Sequence, residues 1–322
     1  ITSTRALAVI TTGENVLRDR LEPGAILIRV ANSHIRVGTF QFGSLIKKRE
    51  EFQNFISYTI SRLYPDIDNN NDKYLKFYET ICDLQIKLVV DWMRVGFIHG
   101  VMNTDNMSLS GETIDYGPAA YLDEYNPKKV FSSIDKMGRY SFENQSKITL
   151  WNLARFAETF LHLIDSNEKT AIKKIEDILN KYKKLFDKSW LTMMSMKLNL
   201  DTNNNNNEEI VKEFLDLMHI YKLDYTNTFL DLENNTLDKK IFKNWEEKYK
   251  NNKIRKFKNV NPQIIPRNHI IEEIINEVYS NNYSQLYEFE KLLKNPYEKI
   301  ENKKYITPPL ESEKVFETFC GT

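Results

Sequence analysis

Oxygen-bearing side chains gather in one short stretch of this chain, at a spacing suited to holding a hard cation. The stretch reads His99-Gly-Val-Met-Asn-Thr-Asp105-Asn106 and is followed by Thr113-Ile-Asp115-Tyr-Gly117. Magnesium takes such donors, sharing one or two carboxylates with phosphate oxygens and water. Asn106 and Asp115 are therefore candidate metal ligands, and Asp105 is a carboxylate that could reach an incoming hydroxyl. A second cluster lies upstream, Arg29-Val-Ala-Asn-Ser-His34-Ile-Arg36-Val-Gly38. Arginine makes forked contacts to phosphate oxygens and spreads transition-state charge. On composition alone, Arg29 and Arg36 fit a phosphate clamp and an ion pair at a core edge equally well.

These residues need elements to position them. Residues 5–45 read as β-structure, with a short buried run at Leu7–Ile10 and a second run, Ala25–Val30, after the turn signal Glu22-Pro23-Gly24. From about residue 46 the period changes. Phe77, Ile81, Leu84, Leu88, Trp92 and Val95 recur at steps of three and four, the stripe of a long amphipathic helix. Residues 101–145 carry little helical period, and from Ile148 onward the chain reads as almost entirely helical, with breaks at 165–167, near 203 and at Pro262 and Pro266. A long helix, a loop from His to Asn, a hairpin and an Asp-aromatic-Gly resemble, in that order, the C-lobe of protein kinases. One position departs from it. The residue two after the His, an Asp base in kinases, is Val101 here and cannot accept a proton.

The other chemistry-bearing residues have plainer readings. His34, His99, His162, His219 and His269 are too scattered for metal-ligand spacing. His99 is expected to brace the loop rather than transfer protons. Asp135, Arg139 and Tyr140 fit a substrate contact or a loop anchor, and the sequence does not separate these. Trp151, Asn152 and Leu153 read as packing at a helix start, and Cys82 as a buried apolar residue rather than a reactive thiol. The asparagine-rich tracts 68–72 and 203–207 read as solvated loop tips, and the Lys/Glu-rich stretch 239–258 as a solvated helix face.

At this density of motifs the chain resembles the SelO (YdiU-type) family of protein adenylyltransferases, pseudokinases of kinase-like fold. The resemblance rests on Thr11-Thr-Gly-Glu14, Arg29 through Phe40, His99 through Met107, Thr113 through Pro118, Ser133 through Phe142 with Asn144-Gln145, Trp151-Asn-Leu153, Asn261-Pro262 and Arg267-Asn-His269. It implies ATP bound in an orientation reversed from that of kinases, and AMP transferred to Ser, Thr or Tyr hydroxyls of proteins with release of pyrophosphate. Asp105 would then be the proton acceptor, Asn106 and Asp115 the Mg²⁺ ligands, and Arg29 and Arg36 the nucleotide contacts. The family's glycine-rich loop, ATP-contacting Lys and its partner Glu would lie upstream of Ile1, so this stretch alone is expected to bind ATP poorly. Family members carry a Cys or selenocysteine where Cys320 stands, paired in some with a second Cys whose place is taken here by Phe131.

Composition bounds the alternatives. The chain has 322 residues with 45 Lys+Arg against 45 Asp+Glu, and this neutral balance argues against a general nucleic-acid or acidic-membrane binder. Two cysteines exclude a disulfide scaffold, and no apolar run is long enough to span a bilayer. The opening Ile1-Thr-Ser-Thr-Arg5, without Met, reads as the downstream part of a longer protein. The expectation is an α+β, protein-kinase-like two-lobed fold, with a mostly helical C-lobe and only the end of the N-lobe sheet present. Residues 1–46 would be the N-lobe remainder and hinge, 47–200 the catalytic C-lobe and 201–322 a helical extension. A bacterial cytoplasmic location is the default, mitochondrial for a eukaryotic source. The rival readings are a non-catalytic nucleotide-sensing or protein-binding module and, less favoured because of Val101, a conventional kinase.

Overall fold

The computed structural model describes residues 1–17, 21–204, 206–254 and 259–319. Its first element is an antiparallel ribbon of β1 (Arg5–Leu17) and β2 (Leu21–Val30), with Arg5 opposite Val30 and Leu17 opposite Leu21. Every residue of β1 is exposed, Leu7 by 71%. The expected buried run at Leu7–Ile10 is thus corrected. Aliphatic and β-branched side chains suit an extended backbone, but a two-stranded ribbon needs a further layer to bury a face, and none covers it among the described residues.

Nor does β-structure continue to residue 45. Helix α1 (Val37–Ile46) begins directly after Arg36. The Thr39 hydroxyl accepts the Arg36 backbone N–H at 3.1 Å, and Val37 and Phe40, three apart, face the core. Helices α2 (Arg49–Leu63), α3 (Pro65–Asp68) and α4 (Lys73–Arg94) follow. Along α4, Phe77, Ile81, Leu88 and Trp92 are buried, as the stripe requires. Gly96, at φ +75°, ends the helix where a Cβ would come within 2.9 Å of the Tyr225 ring.

Two residue pairs then close a loop. β3 (Phe97–Ile98) pairs antiparallel with β4 (Ala120–Tyr121), so residues 99–119 leave and return at one place. The helices α5 (Gln145–Glu158), α6 (Leu161–Ile164), α7 (Glu168–Lys197), α8 (Asn207–Ile220), α9 (Tyr225–Asn234), α10 (Lys239–Lys250), α11 (Asn268–Tyr279) and α12 (Ser284–Lys294) complete a mixed, mostly helical architecture. Phe40, Phe77, Phe156 and Phe160 join α1, α4 and α5 through ring contacts, 5.0 Å between Phe40 and Phe156 and 5.0 Å between Phe156 and Phe160. Burial of each such ring contributes roughly 1.5–3 kcal/mol.

One continuous core runs from Val37 to Tyr249, and a smaller one gathers Ile264, Ile270, Ile274, Phe289, Ile300 and Tyr305 around α11 and α12. Arg267 ties the second to the first. Its guanidinium, 1% exposed, donates to Asp123 Oδ1 and Asp224 Oδ2 at 2.8 Å each. Beside it the Asn268 amide exchanges hydrogen bonds with the backbone of Tyr121 in β4. The second asparagine tract is only partly a solvated tip: Asn207 is buried and donates to Ser195 Oγ and the Asp201 carbonyl. No helix among the described residues is long and apolar enough to cross a membrane.

Candidate functional site

The 99–106 loop is held by backbone pairing from one side and by buried amides from the other. Residues 35–37 run antiparallel to 107–109, with Val37 N–H donating to the Met107 carbonyl and Leu109 N–H to the Ile35 carbonyl, both at 3.0 Å. This pairing carries Arg36 onto the loop, where its Nη1 donates to the Asp105 carbonyl at 3.1 Å. The Arg36 Nε is buried and lacks a hydrogen-bond partner among the described residues, so one donor of the guanidinium is uncommitted.

Asp105 and Asn106 lie in a single 3-10 turn, Thr104–Asn106, capped by the Asn103 side chain accepting the Asn106 N–H at 3.1 Å. Asn106 donates its Nδ2 to the Val101 carbonyl at 3.0 Å, which fixes the amide and leaves its Oδ1 available as a ligand. The Asp105 carboxylate rests against the first turn of α1. A Cβ built on Gly38 would fall 2.0 Å from Asp105 Oδ1, so any side chain there would displace it. Free N–H groups at a helix start also favour a carboxylate.

His99 links this loop to Asp115. The ring is fully buried, Nδ1 accepts the Val101 N–H at 3.4 Å, and Nε2 donates to the Ile114 carbonyl at 2.8 Å. Burial holds its pKa below the ordinary value, so the imidazole is neutral and serves as a brace, as the sequence suggests. Gly100, at φ +82°, lets the loop approach Pro118, where a Cβ would meet the Pro118 carbonyl at 2.8 Å. Asp115 itself adopts a left-handed backbone, φ +59°, tolerated by Asp, and its carboxylate has no hydrogen bond or ion pair among the described residues.

The structure thus brings Arg36 onto the backbone of Asp105, next to Asn106 in the same turn, and sets Asp115 behind the same His99 brace. Arg29 stands apart. It is exposed on β2 opposite Ala6, and no hydrogen bond or ion pair joins its guanidinium to the loop among the described residues. Asp115 and the Asn106 amide are the donor set that magnesium takes with phosphate and water, so the residues fit that ion. Among the described residues, no group of three His, Cys, Asp or Glu is arranged to hold a metal on its own.

Several positioning residues escape a reading of motifs. Gln85 on α4 donates to the Ser108 carbonyl at 2.8 Å, and Trp92 Nε1 donates to Thr113 Oγ1 at 2.8 Å. On α5, Gln145 accepts the His99 N–H and donates to the Phe97 carbonyl, and Asn152 donates to the Met102 carbonyl. Buried Glu112 accepts the Asn32 N–H at 2.9 Å and so fixes the end of β2. The signal available in sequence was a polar residue on an apolar face, as with Gln85 between Ile81 and Leu88.

Asp135 proves to be a loop anchor, accepting the backbone N–H groups of Arg139 and Tyr140 at 2.9 and 2.7 Å. Trp151 is not packed inside but 44% exposed, and the Arg139 guanidinium stacks over it at 4.9 Å. Asn152 and Leu153 beside it are buried, since only one side of α5 faces the core. Cys82 is buried, and burial raises its thiol well above the ordinary range. Cys320 lies outside the described residues. The segment before it docks near the loop, with Thr318 N–H donating to the Phe131 carbonyl at 2.7 Å and Thr318 Oγ1 to the Pro118 carbonyl at 2.6 Å.

A family model described as Protein adenylyltransferase SelO matches residues 1–244. Three similar curated proteins carry the name Protein nucleotidyltransferase YdiU. That of Pelagibacter ubique is 44% identical, with all of this chain aligned to 70% of the relative. Those of Brevibacillus brevis and Clostridium perfringens are each 43% identical, with all of this chain aligned to 69% of each.

Proposed function

The chain belongs to the SelO family of protein adenylyltransferases, and from that premise we propose that it transfers AMP from ATP to Ser, Thr or Tyr hydroxyls of proteins. The observation that carries this reading is the contact of Arg36 with a braced loop that holds Asp105 and Asn106 side by side, while Val101 fills the kinase base position. The acceptor oxygen attacks the α-phosphorus, its proton passes towards Asp105, and the bond to the bridging oxygen breaks to release pyrophosphate. Asn106 and Asp115 would hold Mg²⁺, which when bound would neutralise charge on the phosphate oxygens. Arg36 offers its uncommitted Nε to the phosphates, and Arg29, apart from the loop on β2, is proposed as a further nucleotide contact. Because phosphoryl-type transfer leaves little covalent work to the protein, positioning and charge stabilisation supply most of the acceleration.

The wider arrangement proposed is a kinase-like fold with residues 1–46 as the end of the N-lobe and its hinge, 47–200 as the catalytic lobe and 201–322 as a helical extension, in a protein working in the cytoplasm. Product analysis tests the reaction. Incubation with ATP, Mg²⁺ and a protein acceptor should release pyrophosphate in step with acceptor modification. ADP released in its place would make the site a kinase. Neither product, from folded protein shown to bind ATP, would favour a nucleotide-sensing module.

A further inference from the structure

A groove of about 510 Å³ opens between α7 and α8, closed at one end by the residues leading into α5. It shares no lining residue with the 99–119 loop. Its floor is apolar: Phe142, Phe186, Met194 and Leu215 are all buried side chains that line it. Tyr125, 9% exposed, also lines it, and its hydroxyl has no hydrogen-bond partner among the described residues. The rim is charged and unbalanced. Glu143, Asp187, Glu208 and Asp216 stand around the opening, all exposed and none in an ion pair among the described residues, against Lys147 and Lys212. Lys147 is already engaged with Asn144 Oδ1 at 3.1 Å.

An apolar trough under an acidic rim selects its occupant by charge and by shape. We propose that this groove is a docking site for a protein segment carrying basic side chains on either side of an apolar anchor. The anchor fills the floor between Phe186 and Leu215, the flanking Lys or Arg side chains meet the four carboxylates, and a polar group of the segment meets the Tyr125 hydroxyl. Helices α7 and α8 both line the groove, which suits the helix-in-groove mode with anchors at helical spacing. This site is separate from the proposed transfer of AMP and needs no catalysis to be seen.

Calorimetric titration of the chain with an amphipathic peptide, leucines along one face and lysines bordering that face on both sides, tests it. A peptide with glutamates replacing the lysines is the control. The lysine peptide should bind, more weakly as salt rises, and the glutamate peptide should not. Replacing the four carboxylates together (Glu143→Gln, Asp187→Asn, Glu208→Gln, Asp216→Asn) should weaken binding about tenfold or more while circular dichroism stays unchanged, since all four are exposed. Ser146→Trp, at the groove wall, should block it sterically. No binding by the lysine peptide, equal binding of both peptides, or an affinity untouched by both variants would overturn the proposal.

Discussion

The Asp105 carboxylate owes its place to a glycine. With Gly38 at the first turn of α1, Oδ1 occupies the space that a Cβ would take, and Gly38→Ala must push it away. In an exposed helix, Gly to Ala stabilises by about 1 kcal/mol. Gly38→Ala should therefore leave the thermal midpoint within a few degrees while lowering the rate of transfer by about 10²-fold, the effect of a misplaced reacting group. Unchanged turnover would show that the carboxylate has room to act from elsewhere. Asp105→Ala should cost roughly 10²-fold or more in rate with the fold intact, on the scale of general base catalysis. His99 adds a pH dependence of defined sign. Its folded pKa is lowered below 6.5 by burial, so the neutral ring contributes stability that is complete above that value and is lost as pH falls below it. His162 and His269 are shifted in the same direction, also mainly by burial. The thermal midpoint should decline on acidification below about pH 6.5, and a midpoint that rises there would contradict the buried neutral brace.

Elements differ in how openly the sequence declared them. The stripe of α4 was legible because a 22-residue helix repeats its apolar face often enough to be unmistakable. Leu7–Ile10 was misread because hydropathy records which side chains would gain from burial, not whether a layer exists to bury them. Helix α1 was hidden by its short sequence, Val37-Gly-Thr-Phe40, whose β-branched residues and glycine read as strand or turn until tertiary packing decides. Within the site, Asp105 and Asn106 were legible from spacing. The amides that hold them were not, because Gln85, Gln145 and Asn152 meet the loop from helices distant in sequence. The tether of α11 was seen only as a motif, Arg267-Asn-His269, and its energetic role is structural. Arg267→Ala would strand Asp123 and Asp224 together in a largely buried place, at a cost of about 3–5 kcal/mol. Chemical denaturation should register that loss, and a change below about 1 kcal/mol would mean water reaches both carboxylates freely.

At the scale of the whole molecule, two cores of unequal size share one chain. The large one spans α1 to α10, whereas the small one rests on six buried side chains around α11 and α12 and on the Arg267 tether. Opening free energies follow contact density, so amide exchange should be slowest in α4, faster in α11 and α12, and fastest in the exposed β1–β2 ribbon. Protection of α12 equal to that of α4 would mean the small core unfolds only with the large one. The loop bearing Asp105 and Asn106 hangs from the large core, pinned by α1, α4 and α5, which is where a site that works by positioning should be anchored. Transfer of AMP is best tested by following the two ends of ATP separately. The protein, with any N-terminal sequence its gene encodes, is incubated with Mg²⁺, a protein acceptor and ATP labelled at either the α- or the γ-phosphate. AMP transfer predicts label on the acceptor from the α-phosphate alone, and its loss in Asp115→Ala. Label from the γ-phosphate would contradict it, since Val101 would then stand at the base position of a working kinase.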